Sequence, residues 1–132
     1  MLEIKPIQKK EEQAAFCAIC HIPYDEDALA YAAFDNGEFV GMTQFDMEKE
    51  CGVLKNLTLK DARNDFEAMF LLGRATLNFI DLCGVHRAIC APDAASPRMI
   101  AAIGFTQNAA GELFADLSHM FGGCGGEGKT VI

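Results

Sequence analysis

The sequence predicts an α/β fold with a mixed, mostly antiparallel sheet, one strand-helix-strand crossover and flanking helices. Two observations carry this prediction. Asn36 and Gly37 lie between two strand-like runs, residues 28–35 and 38–48, and both tolerate the positive φ of a type I′ hairpin turn. Farther along, a strand, an amphipathic helix and a second strand follow one another, and this order predicts a right-handed crossover between parallel neighbours.

The N-terminal half predicts strands around a single helix. Residues 2–7 alternate between apolar and polar and form the first strand, with Pro6 at a sheet edge or a strand end. Residues 11–20 follow as a helix, with Pro23 as the residue that prevents its continuation. After the hairpin, residues 52–60 alternate again and add the third strand of an antiparallel meander. The apolar stripe of the helix comprises Ala15, Phe16, Ile19 and Cys20.

A second helix is predicted to begin near Asn64. Asn64 can cap this helix, and Glu67 three residues later completes a capping box. Gly84 provides the C-terminal stop. Its apolar residues recur at helical spacing, which predicts that they face the core. These residues are Phe66, Met69, Phe70, Gly73, Leu77 and Ile80.

The remainder of the chain predicts a strand, a short helix and a terminal strand. Residues 85–91 form the strand that completes the crossover. Ser96 and Pro97 form an N-cap and first-turn pair that opens a short helix, and Gly104 ends it. Residues 111–121 supply a last strand.

Composition limits the classes of partner. The chain has 132 residues, enough for one domain, and a net charge of −8. A surface this acidic repels phosphate groups, so we expect no nucleic acid and no membrane as a partner. No run of about 18 apolar residues is present. The N-terminus carries no secretory signal, which predicts a cytoplasmic protein with reduced cysteines. Cys17, Cys20, Cys83 and Cys90 lie in apolar stretches, where a thiol serves as a small hydrophobe.

Residues 123–130, GCGGEGKT, match the phosphate-binding loop pattern G-x-x-x-x-G-K-[ST]. In that motif a helix begins at the Lys-Thr pair and points its amides at the phosphates. Here only Val131 and Ile132 follow, and two residues cannot form a helix. We therefore predict no ATP binding and interpret residues 122–132 as a glycine-rich tail.

Residues 17–21, CAICH, match the attachment motif of c-type haem. Covalent haem attachment requires export, and the chain shows no export signal. A zinc site would need a fourth ligand, for which His119 and Cys124 are the only loose candidates. We predict no haem and no metal, and interpret the motif as a core-facing cysteine pair followed by a surface His21.

The order of elements resembles the GNAT superfamily of acetyl-CoA-dependent N-acetyltransferases. Three stretches carry the resemblance: NGEFVGM at residues 36–42, LTLKDARNDFEAMFLLGRATLNF at 57–79 and CGVHRAICAPDAASPRMIAAIGF at 83–105. They look like the family's hairpin, its coenzyme A-binding strand-loop-helix, and its following strand and helix. The resemblance covers residues 1–121 and implies one acyltransferase domain.

The resemblance also implies a coenzyme A site at the start of the second helix. The family pattern Arg/Gln-x-x-Gly-x-Gly/Ala binds the pyrophosphate through backbone amides at a helix N-terminus. Phe66 stands where the family has its central glycine, and its spacing with Met69 and Phe70 predicts that the ring turns into the core. The pattern falls on Arg63, Asn64, Asp65, Phe66, Glu67 and Ala68.

The implied chemistry is direct transfer of the acetyl group to a small-molecule or peptide amine. The family's general base is a carboxylate near the central strands, for which Glu48 and Glu50 are the nearest candidates. Backbone amides of Leu57, Thr58 and Leu59 are expected to bind the coenzyme and stabilise the developing oxyanion. Oligomeric state stays open, with a homodimer among the options.

One alternative remains at the level of sequence. Many family members carry a tyrosine on the last helix that protonates the departing thiolate, and Ile100 occupies that position here. Together with Phe66 in the coenzyme loop, Ile100 favours a GNAT-fold binding or interaction module without catalysis.

Overall fold

The computed structural model describes residues 1–62 and 65–121, which form one seven-stranded sheet with helices on both faces. Arg63, Asn64 and the glycine-rich tail, including the phosphate-loop match and Cys124, lie outside the described residues. Among the helices described here, none is long and apolar enough to cross a membrane.

The elements follow the predicted order. The hairpin turn is confirmed, because Asn36 and Gly37 have φ values of 52° and 86°. Short 3₁₀ turns at Lys60–Ala62 and Leu117–His119 follow the fourth and seventh strands. The elements are β1 (Leu2–Pro6), α1 (Lys10–Cys20), β2 (Leu29–Asp35), β3 (Glu38–Met47), β4 (Gly52–Leu59), α2 (Phe66–Leu82), β5 (Arg87–Cys90), α3 (Pro97–Ile103), β6 (Thr106–Gln107) and β7 (Leu113–Asp116).

The strand order in the sheet is β1-β2-β3-β4-β5-β7-β6. β4 and β5 are parallel, and every other neighbouring pair is antiparallel. The parallel pair is joined through α2, because antiparallel strands can be joined by a tight turn whereas parallel ones need a crossover. The predicted mixed sheet with a strand-helix-strand crossover is therefore confirmed.

The two faces of the sheet carry separate apolar clusters. The cluster under α2 and α3 is the larger, and Gly73 allows the close approach of these helices, since a Cβ there would lie 2.5 Å from Cδ1 of Ile103. The cluster under α1 is smaller and contains Cys17, Cys20, Ala30, Ala32, Phe39 and Met42. α1 packs against β3, and no helix within residues 1–62 and 65–121 covers β4, β5 and β7 on this side, which is called the open face below.

The predicted apolar face of α1 is wrong. α1 buries Gln13, Cys17 and Cys20, whereas Ala15 and Ile19 of the predicted stripe are exposed. The helix is rotated because the side chain of Gln13 is held inside by a 2.9 Å hydrogen bond to Gln44. The helix ends at Cys20 as predicted, where the next residue, His21, adopts the left-handed conformation before Pro23 is reached.

The last predicted strand is also too long. β7 ends at Asp116, whose carboxylate accepts the N–H of Ser118 at 3.0 Å and caps the 3₁₀ turn that follows. Short polar side chains compete with the sheet for backbone groups in this way. The predicted cap of α2 is shifted as well, since Asp65 and not Asn64 is the N-cap residue.

Candidate functional site

β4 is the strand on which the candidate site is built. It pairs with β5 only from Gly52 to Leu54 and then continues five residues farther, to Leu59. A bulge lies in this strand, because Gln44 pairs with Asn56 whereas Phe45 pairs with Leu54, which leaves Lys55 as the extra residue. A bulge redirects side chains, and here it turns Lys55 toward the α1 face.

A turn after β5 closes over the middle of β4. The N–H of Ala94 donates to the carbonyl of Ala91 at 3.0 Å, and Pro92 occupies the second position of this turn, where its fixed φ is favoured. The carbonyl of Ala94 in turn accepts the N–H of Leu57 at 2.9 Å. Asp93, the third residue of the turn, is thereby held above β4.

A cleft of about 380 Å³ lies between this turn, the β3–β4 pair and the α1–β2 loop, residues 21–28. Gln44 is its most deeply buried polar residue, with 1% of its surface exposed. The cleft is lined by Ile22, Pro23, Asp25, Gln44, Lys55, Asn56 and Asp93.

Lys55 joins two carboxylates in the wall of this cleft. Its ammonium pairs with Asp25 and also with Asp46, at 3.5 Å between Nζ and Oδ2. The other carboxylate oxygen of Asp25 accepts the N–H of Asp27 at 2.9 Å. The hydrogen bond from Lys55, with that from Asp27, lowers the pKa of Asp25, and the hydrogen bond with Asp25 raises the pKa of Lys55. These side chains are about one-third exposed, so solvent screening limits what the pairs add to stability.

Asp93 differs from Asp25 because its carboxylate makes no hydrogen bond or ion pair within residues 1–62 and 65–121. It is exposed and faces the same cleft. An adjoining cavity of about 430 Å³ begins at Pro92 and is mostly apolar, with Val53, Ile89 and Leu113 in its lining. The open face of the sheet thus offers a free carboxylate between a polar and an apolar compartment.

The N-terminus of α2 lies beyond the far end of β4. Asp65 caps it, since its Oδ1 accepts the N–H of Ala68 at 3.1 Å. Phe66 does not pack into the core as predicted: 40% of its surface is exposed, and the guanidinium of Arg98 lies 4.7 Å from its ring centre. The helix instead buries Ala68, Leu72 and Gly73 in its first turns, because the face toward the sheet begins two residues after Phe66.

The structure brings some of the predicted residues together at this end. Leu57 and Leu59 point their side chains into the core under α2, so only their backbone groups could meet a ligand. The Leu57 amide is already engaged by Ala94, while strand alternation puts the Leu59 N–H on the same edge of β4. Thr58 is half-buried, and Glu67 is exposed in the first turn of α2.

Glu48 and Glu50 are not brought to this site. Both are exposed in the turn between β3 and β4, at the opposite end of β4 from α2. A strand of eight residues spans roughly 25 Å, so neither carboxylate lies near the α2 N-terminus. Ile100, at the position of the family's tyrosine, is buried and offers no proton.

The cysteine-histidine motif has the predicted arrangement, with Cys17 and Cys20 buried and His21 exposed. Burial raises the pKa of Cys20 to about 11 and that of Cys90 to about 12, which keeps both thiols protonated and poorly reactive. Cys83 is exposed, against the prediction. Over the described part of the chain, no three His, Cys, Asp or Glu side chains are grouped as metal ligands.

Sequence reasoning missed Asp25, Lys55 and Asp93 as site residues. Simple alternation predicts that Lys55 shares a face with Leu57, and only the bulge puts the two side chains on opposite faces. A lysine within an otherwise apolar run was the available signal for that bulge. Asp93 directly follows Pro92 after a buried strand, a turn position where side chains of functional importance are common.

Solved structures of similar shape are N-acetyltransferases. The ribosomal-protein-S18-alanine N-acetyltransferase from Escherichia coli is 15% identical with a TM-score of 0.69, and the match covers 99% of this chain and 100% of that one. PaiA N-acetyltransferase from Thermoplasma acidophilum, in complex with coenzyme A, is 11% identical with a TM-score of 0.67, covering 88% and 99%. An N-acetyltransferase from Staphylococcus aureus Mu50 is 12% identical with a TM-score of 0.67, covering 89% and 98%.

No protein-family model and no curated protein sequence matches the chain. The likeness therefore concerns three-dimensional structure, over almost the full length of both partners in each comparison. It agrees with the sheet order, the single parallel pair and the crossover described above. The chain has the fold of the GNAT N-acetyltransferases.

Proposed function

We propose that this protein is an acetyl-CoA-dependent N-acyltransferase that transfers the acyl group directly to a small-molecule or peptide amine. The observation that carries the proposal is the cleft against β4, where the carboxylate of Asp93, which has no partner among the described residues, faces this strand beyond its pairing with β5. The shared fold supports it, since PaiA and an N-acetylglutamate synthase were both solved with coenzyme A.

At the C-terminal end of β4, backbone groups are suitably placed to bind a coenzyme. α2 has 17 residues, and its exposed first turn offers amides and the positive end of a helix dipole to a pyrophosphate. Arg98 lies beside this turn, over Phe66, and would add a positive charge. Beyond its pairing with β5, β4 would offer the Leu59 amide to the pantetheine arm. Bound there, acetyl-CoA would supply the thioester that is attacked.

The acceptor would bind on the α1 side of β4. Among the described side chains of the cleft and its ion pairs, Asp25, Asp46 and Asp93 outnumber the ammonium of Lys55, which would attract a cationic amine. An amine attacks only after losing a proton, and Asp93, which has no partner among the described residues, is the carboxylate that would accept it. The nitrogen would then form a bond to the acyl carbon, the carbon–sulfur bond would break, and the second proton of the nitrogen would pass to the departing thiolate, which leaves as the thiol. Orientation by the cleft replaces the acid that Ile100 cannot supply.

A thermal-shift titration with acetyl-CoA, followed by mass analysis of amines incubated with enzyme, tests the proposal. Ligand at about 100 times its dissociation constant should add roughly 2.7 kcal/mol, which is several degrees for a domain of this length. An acylated amine whose formation requires the protein supports transfer. Absence of both the shift and the product at millimolar acetyl-CoA would contradict it.

A second candidate is a GNAT-fold binding module without catalysis. Two observations favour it: the Asp65 carboxylate already occupies the Ala68 amide, and the Ala94 carbonyl already occupies the Leu57 amide. This alternative predicts binding of an amine or a partner with no acylated product in the same assay.

A further inference from the structure

The α1–β2 loop, residues 21–28, forms one wall of the cleft and carries Asp25. The loop has no regular secondary structure to fix its shape. Its backbone instead converges on two glutamine side chains, Gln13 from α1 and Gln44 from β3. Each has only 1% of its surface exposed, which is unusual for a residue type that is mostly found at the surface.

We propose that the buried Gln13–Gln44 pair is a positioning device that fixes the acceptor-facing loop and thereby holds the Asp25 carboxylate in the cleft. This inference deepens the proposed function and rests on it for the role of the cleft. Neither glutamine is expected to touch the reacting atoms. Gln13 lies behind the loop, and the side-chain amide of Gln44, which lines the cleft, is already used by Gln13, Pro23 and Asp25.

The hydrogen bonds account for every polar atom of the two amides. Nε2 of Gln13 donates to Oε1 of Gln44 at 2.9 Å and to the carbonyl of Asp25 at 3.1 Å. Oε1 of Gln13 accepts from Nζ of Lys10 at 3.2 Å. Nε2 of Gln44 donates to the carbonyl of Pro23 at 2.8 Å, and its Oε1 also accepts the N–H of Asp25 at 3.1 Å. Both backbone groups of Asp25 are thus held by this pair.

Local hydrogen bonds pass this constraint to the rest of the loop. The N–H of Ala28 donates to the Asp25 carbonyl at 3.1 Å, and the N–H of Asp27 donates to the Asp25 carboxylate. The Gln44 backbone is anchored in turn, because its N–H donates to Oδ1 of Asn56 at 3.1 Å beside the bulge. The chain of contacts runs from β4 through the glutamines to Asp25, and a buried network of this kind specifies one arrangement when it is complete.

The pair can be cut from either side. Gln44→Met keeps the volume of the side chain but loses the bonds to Pro23 and to the Asp25 N–H, while Gln13→Met loses the bond to the Asp25 carbonyl. Gln8→Met is the matched control, since Gln8 is exposed and lies outside the network. Amide hydrogen exchange at residues 25–28 should increase about tenfold or more in both buried variants, because a lost hydrogen bond of this type opens the loop.

Kinetics supply the second readout. In both buried variants we expect KM for the amine to rise roughly tenfold with kcat changed less than about twofold and KM for acetyl-CoA unchanged, the pattern of lost substrate positioning. If amide exchange in β3 and β4 rises as much as it does at residues 25–28, the substitution has destabilised the whole fold. The result for the other variant then decides whether the glutamines position the loop. Unchanged exchange at residues 25–28 in a folded variant overturns the proposal, and so does faster exchange with unchanged amine KM.

The outcomes separate this inference from the proposed function. If the wild-type protein acylates no amine, the proposed function fails, and exchange at residues 25–28 alone then decides whether the glutamines hold the loop. If amines are acylated with the same KM in all variants, transfer stands and the positioning role is contradicted.

Discussion

The two sides of β4 are built from different chemistry. On the α2 side its residues are apolar and packed, and Leu54, Leu57 and Leu59 belong to the core. On the α1 side Lys55 pairs with Asp25 of the α1–β2 loop, and the side chain of Asn56 accepts the N–H of Gln44 on β3. We infer from this difference that backbone groups, whose positions depend on the fold, would hold the acetyl-CoA donor on this strand. Side chains would recognise the amine acceptor.

This contrast explains why the fold is detectable while the coenzyme motif is degenerate. A backbone amide is present whatever the side chain, so loss of the glycine at Phe66 leaves the helix N-terminus in place. Interactions on the acceptor side depend on particular side chains, so replacing one carboxylate or one glutamine removes the interaction itself. Substitutions on the two sides should therefore have opposite signatures in stability and in binding.

Paired substitutions at Leu57 and Lys55 should show the largest difference in stability. Leu57→Ala removes a side chain that is 2% exposed in the core, and we expect it to cost about 2–5 kcal/mol. Lys55→Met, two residues away on the other side, breaks partly exposed ion pairs and should cost less than about 1 kcal/mol. Urea denaturation of both variants measures the two losses in the free energy of unfolding. Similar losses would show that the two sides of β4 do not differ in their contribution to stability.

Phe66 and Phe105 form the next pair. Phe66→Ala should cost less than about 1 kcal/mol, since the exposed ring loses mainly its contact with Arg98. Phe105→Ala, at a ring that is 2% exposed in the same layer, should cost about 3–5 kcal/mol. Melting curves of the two variants measure the two losses of stability. Equal losses would show that the Phe66 ring packs in the core.

Asp65→Asn should sharpen the comparison on the donor side. Asn caps helices as well as Asp does, so the bond to the Ala68 amide is kept while a negative charge is removed. Coenzyme A affinity should rise roughly two- to fivefold, because a charge at a helix end is worth about 0.3–1 kcal/mol. Titration calorimetry with Glu12→Gln, an exposed first-turn residue of α1, gives the control. Unchanged affinity would place the phosphates elsewhere.

The pH dependence of stability tests the acceptor side. The pKa of Asp25 is lowered in the folded protein, chiefly by Lys55, so its contribution is complete above the unfolded value of about 3.9 and is lost as pH falls through the folded value. Lys55→Met should make the acid-side decline in melting temperature shallower. Identical slopes below about pH 4 in the two proteins would contradict the Asp25–Lys55 pair.

The sequence predicted the architecture well because its signals are local. The Asn36-Gly37 turn, the Ser96 cap and the Gly84 stop depend on residues close in the chain, and each has the expected geometry. The cleft depends on long-range events. The bulge that turns Lys55 arises from pairing with β3, and the rotation of α1 arises from the Gln13–Gln44 bond between elements 31 residues apart. Periodicity in a single segment carries no information about either.

Long-range structure also decides where Phe66 and the two glutamates lie. Helical spacing identified the apolar residues of α2, but the buried face of the helix begins at Ala68, so the ring of Phe66 lies against Arg98 and not in the core. Glu48 and Glu50 are near the central strands in sequence and at the wrong end of β4 in space.

The most direct test of the acceptor site is kcat/KM for amine acylation in Asp93→Asn and Glu50→Gln, measured with saturating acetyl-CoA. Both changes remove one exposed carboxylate with little change in shape, one in the cleft and one at the opposite end of β4. We expect Asp93→Asn to lose about 10²- to 10⁴-fold, the usual contribution of a general base, and Glu50→Gln to keep wild-type activity. Full activity in Asp93→Asn, or an equal loss in Glu50→Gln, would contradict the assignment of the cleft as the acceptor site.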